Sequence, residues 1–204
     1  GTPLCGITGA IGNNRTGVVG VNWNVKMMLI VRGITESKII QAYEYPLKAR
    51  RAYNRSRGKR GAFVVATNTS WGLDNKFPSD SPLWCAMYDS LGQEGVLNVG
   101  ATTNRNVDVG LTGDLPTTCK SDFLITVTNI DQGASKVQNA GYSPQHIDIA
   151  AFGEQIFTTL SNDQYGLYSG TSAAAPHVTA SVDLLYAAPC PGLSELARID
   201  PPAA

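Results

Sequence analysis

Short apolar runs alternate with helical patterns along most of this sequence. The alternation restricts the fold more than any other feature, because parallel strands need a crossover, usually a helix, between them. The runs that predict strands are residues 25–31, 62–70, 95–101, 123–129 and 147–151. Apolar residues recur at helical spacing over residues 37–52, 81–91 and 172–187. The pattern predicts an α/β fold with a mostly parallel sheet.

The composition excludes several classes of protein. A chain of 204 residues suits a single domain. Sixteen Lys and Arg residues balance 16 Asp and Glu residues, so no basic excess exists to neutralise a phosphate backbone. The longest aliphatic run, residues 27–31, is far below the roughly 20 residues that span a bilayer. We therefore expect neither a nucleic-acid nor a membrane partner.

Residues 170–177 read GTSAAAPH, in which small residues that favour a helix follow a serine. A serine at a helix start has its hydroxyl beside free N–H groups and the positive end of the helix dipole. That environment stabilises a developing oxyanion. On the residues alone, the pattern rather favours the alternative that Ser172 is only the N-cap of an Ala-rich helix.

A polar stretch rich in Thr, Asn, Asp and Gly covers residues 102–121. It follows the predicted strand 95–101, and open α/β sheets place their sites in loops after the carboxyl ends of strands. The stretch is therefore a candidate site. Taken alone, Asn104 within it is typical of a turn.

The four cysteines stand at positions 5, 85, 119 and 190, and none forms a CxxC pair. Zinc-ribbon or thioredoxin-type chemistry is therefore not indicated. Cys85 and Cys119 lie in polar, loop-like stretches, where a disulfide would fit a secreted protein. Two free thiols are the open alternative. Cys5 is predicted to fill a helix core.

Several motifs resemble, in the same order along the chain, those of the subtilisin-like serine proteases (subtilases). GTSAAAPH resembles the nucleophile motif GTSMAAPH, with Ala173 in place of Met. The start of the sequence resembles the helix that begins HGTHVAG, with Pro3 in place of its second His. The matching segments are residues 1–10, 13–21, 70–72, 96–104, 147–153 and 170–177.

The resemblance implies a three-layer, subtilisin-like fold, with residues 1–204 forming part of a peptidase catalytic domain. It also implies serine endopeptidase activity: Ser172 would be the nucleophile and Asn104 would donate its side-chain amide to the oxyanion. A peptide or protein substrate would bind as an added strand. The implied substrate-binding residues are Gly33, Ile34, Thr35, Ser70, Trp71, Gly72, Ala101, Thr102 and Thr103.

The family's catalytic His immediately precedes the Gly-Thr with which this sequence begins, and its catalytic Asp lies further upstream. We therefore expect a truncated fragment whose fold is incomplete at the N-terminus and which has no useful proteolytic activity by itself. His177 matches a structural His of the motif and His146 lies in a polar loop, so neither is expected to be the general base. The parent protein would be a secreted monomer, with its signal peptide outside this sequence.

Residues 13–21 resemble the calcium loop of the family. Asn14 would supply a side-chain oxygen, and Gly12, Thr16 and Val18 would supply backbone carbonyls. Calcium takes roughly six to eight oxygens, and the family's acidic ligand lies upstream. Structural calcium is therefore expected of the parent more than of this chain, and a Gly/Asn turn is the alternative. No cofactor is expected for catalysis.

Two other functions are open on the sequence. Departures from the family motifs at Pro3, Phe152 and Ala173 favour a non-catalytic relative that keeps the fold for binding or scaffolding. An unrelated α/β hydrolase is disfavoured because that fold needs G-x-S-x-G, whereas here the fifth residue is Ala174 and no suitable His follows Ser172.

Overall fold

A parallel sheet forms the middle of the computed structural model, which describes residues 1–204. The strands are Ala66–Thr69 (β1), Leu73–Asp74 (β2), Leu97–Ala101 (β3), Asp114–Leu115 (β4), Leu124–Ile130 (β5), Ile149–Phe152 (β6), Ile156–Thr159 (β7) and Tyr165–Tyr168 (β8). Four of them make the sheet, in the order β1-β3-β5-β6, and every neighbouring pair is parallel. The central strands β3 and β5 are mostly buried, as expected where helices cover both faces.

Helices cover the two faces of this sheet. The helices of the chain are Thr2–Gly9 (α1), Glu36–Ser56 (α2), Pro82–Gly92 (α3), Val109–Thr112 (α4), Thr171–Ala187 (α5) and Pro191–Ile199 (α6), with 3₁₀ turns at Pro78–Asp80 and Pro201–Ala203. α2 and α3 pack on one face, and α5, with α1 against it, packs on the other. The predicted α/β fold in three layers is confirmed.

The helix α5 approaches the sheet closely because its inner side is made of alanines. Ala173, Ala174 and Ala175 are fully buried, and the last two pack against Val99 of β3 and Val127 of β5. Because alanine side chains are small, the helix backbone can lie close to all four strands of the parallel sheet. The first turn of α5, which carries Ser172, is thereby fixed relative to the strand ends.

A chain of buried hydroxyl groups holds the other face to the end of β1. The Trp84 indole donates to Tyr88 Oη (3.0 Å), and the Tyr88 and Tyr43 hydroxyls are hydrogen-bonded (3.0 Å). Tyr43 Oη is also hydrogen-bonded to Thr69 Oγ1, at the last residue of β1. The indole of Trp71, two residues further on, stacks on that of Trp84 with ring centroids 4.9 Å apart. Residues 70–72 are thus positioned by the core between α2 and α3.

The prediction of a buried strand at residues 25–31 is wrong. The segment belongs to no strand, and its apolar side chains are exposed, 76% for Leu29 and 97% for Val31. An apolar run becomes a strand only where a neighbouring strand satisfies its N–H and C=O groups. No strand of this chain pairs with the segment, and the outer edge of β1 is open.

Two further differences concern short elements. The strand predicted over residues 62–70 is reduced to β1, because residues 62–65 lie outside the ladder. Two antiparallel ribbons, β2 with β4 and β7 with β8, were not predicted from the sequence. The first has only two residues in each strand, too few for a periodic pattern.

The structure resolves the open question about the cysteines. Cys85, in the first turn of α3, forms a disulfide with Cys119 in the loop after β4. Both residues belong to the core between α2 and α3. Cys5 lies half-buried on α1 and Cys190 is exposed, and both are free.

Replacing both bonded cysteines by alanine is expected to lower the free energy of unfolding by about 3–4 kcal/mol, since the bond closes a loop with a sequence separation of 34. Urea denaturation measures the change. The matched control is the Cys5→Ala/Cys190→Ala chain, which removes the free thiols and should differ little from the unaltered chain. Rapid alkylation of Cys85 and Cys119 without reductant would contradict the pairing.

Candidate active site

Ser172 lies at the start of α5, where a reciprocal pair of hydrogen bonds fixes it to the end of β1. Its hydroxyl donates to the Ser70 carbonyl (3.1 Å), and the Ser70 hydroxyl donates to the Ser172 carbonyl (2.9 Å). The N-cap of α5 is Gly170, so the alternative that Ser172 serves as N-cap is wrong. Gly170 has a φ of 127°, which side-chain-bearing residues rarely adopt. This glycine lets the chain turn into the helix with Ser172 in the first turn.

Asn104 meets the same helix start from the loop after β3. Its Oδ1 accepts hydrogen bonds from Thr171 N (2.9 Å) and Thr171 Oγ1 (3.0 Å). Thr171 Oγ1 also lies 2.6 Å from the carbonyl of Thr102. These contacts fix which end of the amide faces the helix, and Nδ2 of Asn104 makes no hydrogen bond within the chain. The side chain therefore links β3 to α5, which a turn residue acting only in its own loop would not do.

Ser172 and Asn104 border a cavity of about 180 Å³. Five of the predicted substrate-binding residues line it: Trp71, Gly72, Ala101, Thr102 and Thr103. Ser70 adjoins it through its bonds to Ser172. The volume is below the roughly 300–1,000 Å³ typical of pockets for drug-sized ligands, so the space fits one side chain.

The three remaining predicted substrate-binding residues lie outside the lining of this cavity. Gly33, Ile34 and Thr35 form the approach to α2, with Thr35 as its N-cap and the side chain of Ile34 82% exposed. Arg32 connects this segment to the cavity, since its guanidinium stacks over the Trp71 ring at 3.6 Å and donates to the Gly33 carbonyl. Their role in substrate binding stays a prediction.

Sequence reasoning missed Asp114, a carboxylate in the lining of the same cavity. The side chain is almost fully buried at the start of β4, and burial raises its pKa to about 6. The available signal was its place in the polar stretch 102–121, but nothing in that stretch distinguishes a buried aspartate from a turn residue.

Neither histidine is hydrogen-bonded to Ser172. The only hydrogen bond of the Ser172 hydroxyl is the one to Ser70. His177 Nδ1 contacts the Ala173 carbonyl at 2.9 Å within α5, and burial lowers the pKa of this imidazole. His146 uses its backbone carbonyl to accept from Thr126.

The predicted calcium loop forms a compact turn. Asn14 Oδ1 accepts from Thr16 N (3.0 Å), so the one side-chain oxygen among the four predicted ligands is used within the loop. No group of three or more His, Cys, Asp or Glu residues is placed to hold a metal. The residues present do not by themselves fit the roughly six to eight oxygens that calcium takes, and calcium binding stays a prediction.

None of the helices combines the length and the apolar character needed to cross a bilayer.

The sequence of this chain is similar to the sequences of known serine proteases. The chain is 27% identical to Subtilisin-like protease 1 of Plasmodium falciparum, over 91% of the chain and 28% of that protein. It is 32% identical to the major intracellular serine protease of Bacillus subtilis, over 53% of the chain and 34% of that protein. The chain thus spans about a quarter to a third of the length of these relatives.

Solved structures show the same fold. Proteases of Pseudoalteromonas arctica superpose with a TM-score of 0.69 at 23% identity, over 87% of this chain and 55% of theirs. A cold-adapted subtilisin-like serine proteinase gives 0.70 at 22% identity, over 97% of this chain and 62% of its own. The model of the subtilase family, peptidase S8, matches residues 1–194, and with nearly the whole sequence covered the chain belongs to the subtilase family.

Proposed function

We propose that this chain carries the nucleophile and the oxyanion-binding group of a serine endopeptidase domain. The reaction would be peptide-bond hydrolysis through an acyl-enzyme on Ser172. The observation that supports the proposal is the junction at the start of α5, where Ser172 and Asn104 line the same cavity, which is the size of one side chain.

Peptide-bond hydrolysis by a serine requires a base for the hydroxyl proton, a site that stabilises the oxyanion, and a proton for the leaving amine. Ser172 Oγ attacks the scissile carbonyl carbon, its proton passes to a base, and the carbonyl oxygen becomes negative. Asn104 Nδ2 and the backbone N–H of Ser172 stabilise that oxygen. As the C–N bond breaks, the leaving amine takes the proton from the base. Water then hydrolyses the serine ester by the same route.

The base comes from outside the residues described above. The family pattern places a histidine immediately before the Gly-Thr of residues 1–2, with an aspartate upstream to orient it. Loss of the histidine alone costs a subtilisin about as much as loss of the whole triad, roughly 10⁶ in kcat. With no histidine hydrogen-bonded to Ser172, residues 1–204 alone should show no proteolytic activity.

The substrate is a peptide or protein that adds a strand between residues 33–35 and 70–72. The side chain before the scissile bond enters the cavity beside Ser172. The disulfide between Cys85 and Cys119 supports an oxidising, extracellular location, because such bonds are rare in reducing compartments. We further propose that residues 1–204 are one partial catalytic domain of a monomer, with structural calcium in the longer protein.

A non-catalytic binding or scaffold protein is the rival function. The motif departures at Pro3, Phe152 and Ala173 motivate it. Ala173 is fully buried and Phe152 is 47% exposed at the sheet edge. The hydrogen bonds between Ser70 and Ser172 and between Asn104 and Thr171 form despite the changes at Phe152 and Ala173, which favours the enzyme.

A fluorophosphonate probe distinguishes the two functions. In a product extended upstream of the Gly1 codon, the probe should label Ser172, and Ser172→Ala should abolish labelling and peptide hydrolysis. Residues 1–204 alone should not be labelled, because the hydroxyl lacks a base. Mass spectrometry of the labelled peptide identifies the site. An extended protein that resists the probe, or equal labelling of the short chain, would contradict the proposal.

Asn104→Ala in the extended protein should lower kcat by roughly 10²–10³ with little change in KM, the usual effect of removing one oxyanion donor, measured in subtilisin itself. Steady-state kinetics on a chromogenic peptide give both constants. Asn106→Ala is the matched control, since Asn106 is exposed and its Oδ1 accepts only from Lys136. An unchanged kcat in Asn104→Ala would remove Asn104 from the mechanism.

A further inference from the structure

The cavity beside Ser172 contains a buried carboxylate with one unused oxygen. Asp114 is only 1% exposed and lines the cavity. Its Oδ2 accepts three hydrogen bonds, from Thr102 Oγ1 (3.0 Å), Thr103 N (2.9 Å) and Thr117 Oγ1 (2.6 Å). Its Oδ1 accepts none. One oxygen thus anchors the side chain, and the other is left for something that enters the cavity.

The wall of the cavity next to Asp114 Oδ1 has no side chain, which leaves space beside this oxygen. Gly72 lines the cavity, and a Cβ built on it would lie 3.5 Å from Asp114 Oδ1 and 2.3 Å from the Leu115 carbonyl. Any side chain at position 72 would therefore collide with β4 beside the carboxylate. The lining residue Thr103 also has a buried hydroxyl without a hydrogen-bond partner.

The other charged groups of the cavity neutralise each other. Arg105 and Asp74 both line it, and Arg105 Nη1 lies 3.9 Å from Asp74 Oδ2 with both side chains about half exposed, 50% and 47%. Arg105 Nη1 also donates to Asn75 Oδ1 (3.2 Å). This pair lies nearer to solvent, whereas the buried carboxylate of Asp114 has no cation beside it.

A buried carboxylate without a cation is costly, and the cost falls when an opposite charge arrives. Burial has raised the pKa of Asp114 to about 6, with Asp74 adding to the rise and the three hydrogen bonds opposing it. Above pH 6 the group is therefore mostly ionised. A neutral aliphatic guest would bury that charge further, whereas a cationic guest would pair with it.

We propose that this cavity selects a lysine or arginine side chain of the substrate, whose cation binds Oδ1 of Asp114. The inference rests on the function proposed above, because the cavity takes the residue before the bond that Ser172 attacks. Its volume of about 180 Å³ fits a single such side chain. Asp114 is thereby a specificity-determining residue and takes no part in the bond-breaking steps.

The first test uses residues 1–204 as they are and does not depend on catalysis. The probe is p-aminobenzamidine, an arginine-like cation whose fluorescence reports binding, and its neutral counterpart is p-aminobenzamide. The unaltered chain should bind the cation at least tenfold more tightly. Asp114→Asn keeps an acceptor oxygen for the threonines and should lose that preference. Asp163→Asn is the matched control, because Asp163 lies in the exposed turn between β7 and β8 and makes no side-chain hydrogen bond.

A pH series on the unaltered chain tests the same charge without any substitution. With a pKa of about 6, roughly one tenth of Asp114 is ionised at pH 5, so affinity for the cation should fall about tenfold from pH 8 to pH 5. Asp74→Asn should retain this fall. Equal binding of cation and neutral probe, a pH-independent affinity, or an Asp114→Asn chain that binds like the unaltered one would overturn the inference.

The second test uses the extended, active protein and separates this inference from the proposed function. Values of kcat/KM are compared for peptides with Lys, Arg, norleucine or citrulline before the scissile bond. Lys and Arg should lead by at least tenfold, and Asp114→Asn should remove the lead. Hydrolysis without this preference refutes the cation site alone. Binding of p-aminobenzamidine by an extended protein that hydrolyses no peptide refutes the proposed function alone.

Discussion

The start of α5 depends on hydrogen bonds that join it to the carboxyl ends of two strands. Ser70, after β1, and Ser172 exchange two bonds, and Asn104, after β3, accepts two from Thr171. The bond from Thr171 N satisfies one of the N–H groups that the start of a helix leaves without a partner within the helix. The hydrogen bonds at this junction also orient the two groups proposed to act in catalysis, the hydroxyl of Ser172 and the free Nδ2 of Asn104. The proposed catalytic geometry is thus a consequence of how the helix is capped.

The two sides of the sheet contribute differently to this junction. The alanine face of α5 sets the distance between helix and strands on one side. On the other side, the hydroxyl chain from Trp84 through Tyr88 and Tyr43 reaches Thr69, immediately before Ser70. The disulfide from α3 to Cys119 connects that core to the segment just beyond Asp114 and Thr117. Both walls of the cavity are therefore supported by buried structure.

Sequence reasoning recovered the features that short-range patterns determine. Helical spacing located α2, α3 and α5, and apolar runs located β3 and β5 within a few residues. The strand predicted over residues 25–31 does not form, because a strand needs a neighbouring strand to pair with. An apolar run in the sequence does not show whether such a neighbour exists. Asp114 was missed for a related reason, since its burial comes from threonines in the loop after β3 and beyond β4. The proximity of Ser172 to Asn104 was expected only from the order of motifs, because the two residues are distant in sequence.

The most direct test of the central claim is a crystal structure of the extended protein with a peptide aldehyde bound. The account predicts a covalent bond from Ser172 Oγ to the aldehyde carbon. The resulting oxygen should lie about 2.7–3.1 Å from both Asn104 Nδ2 and the Ser172 backbone nitrogen. An adduct whose oxygen points away from Asn104, or a ligand attached to another residue, would contradict it.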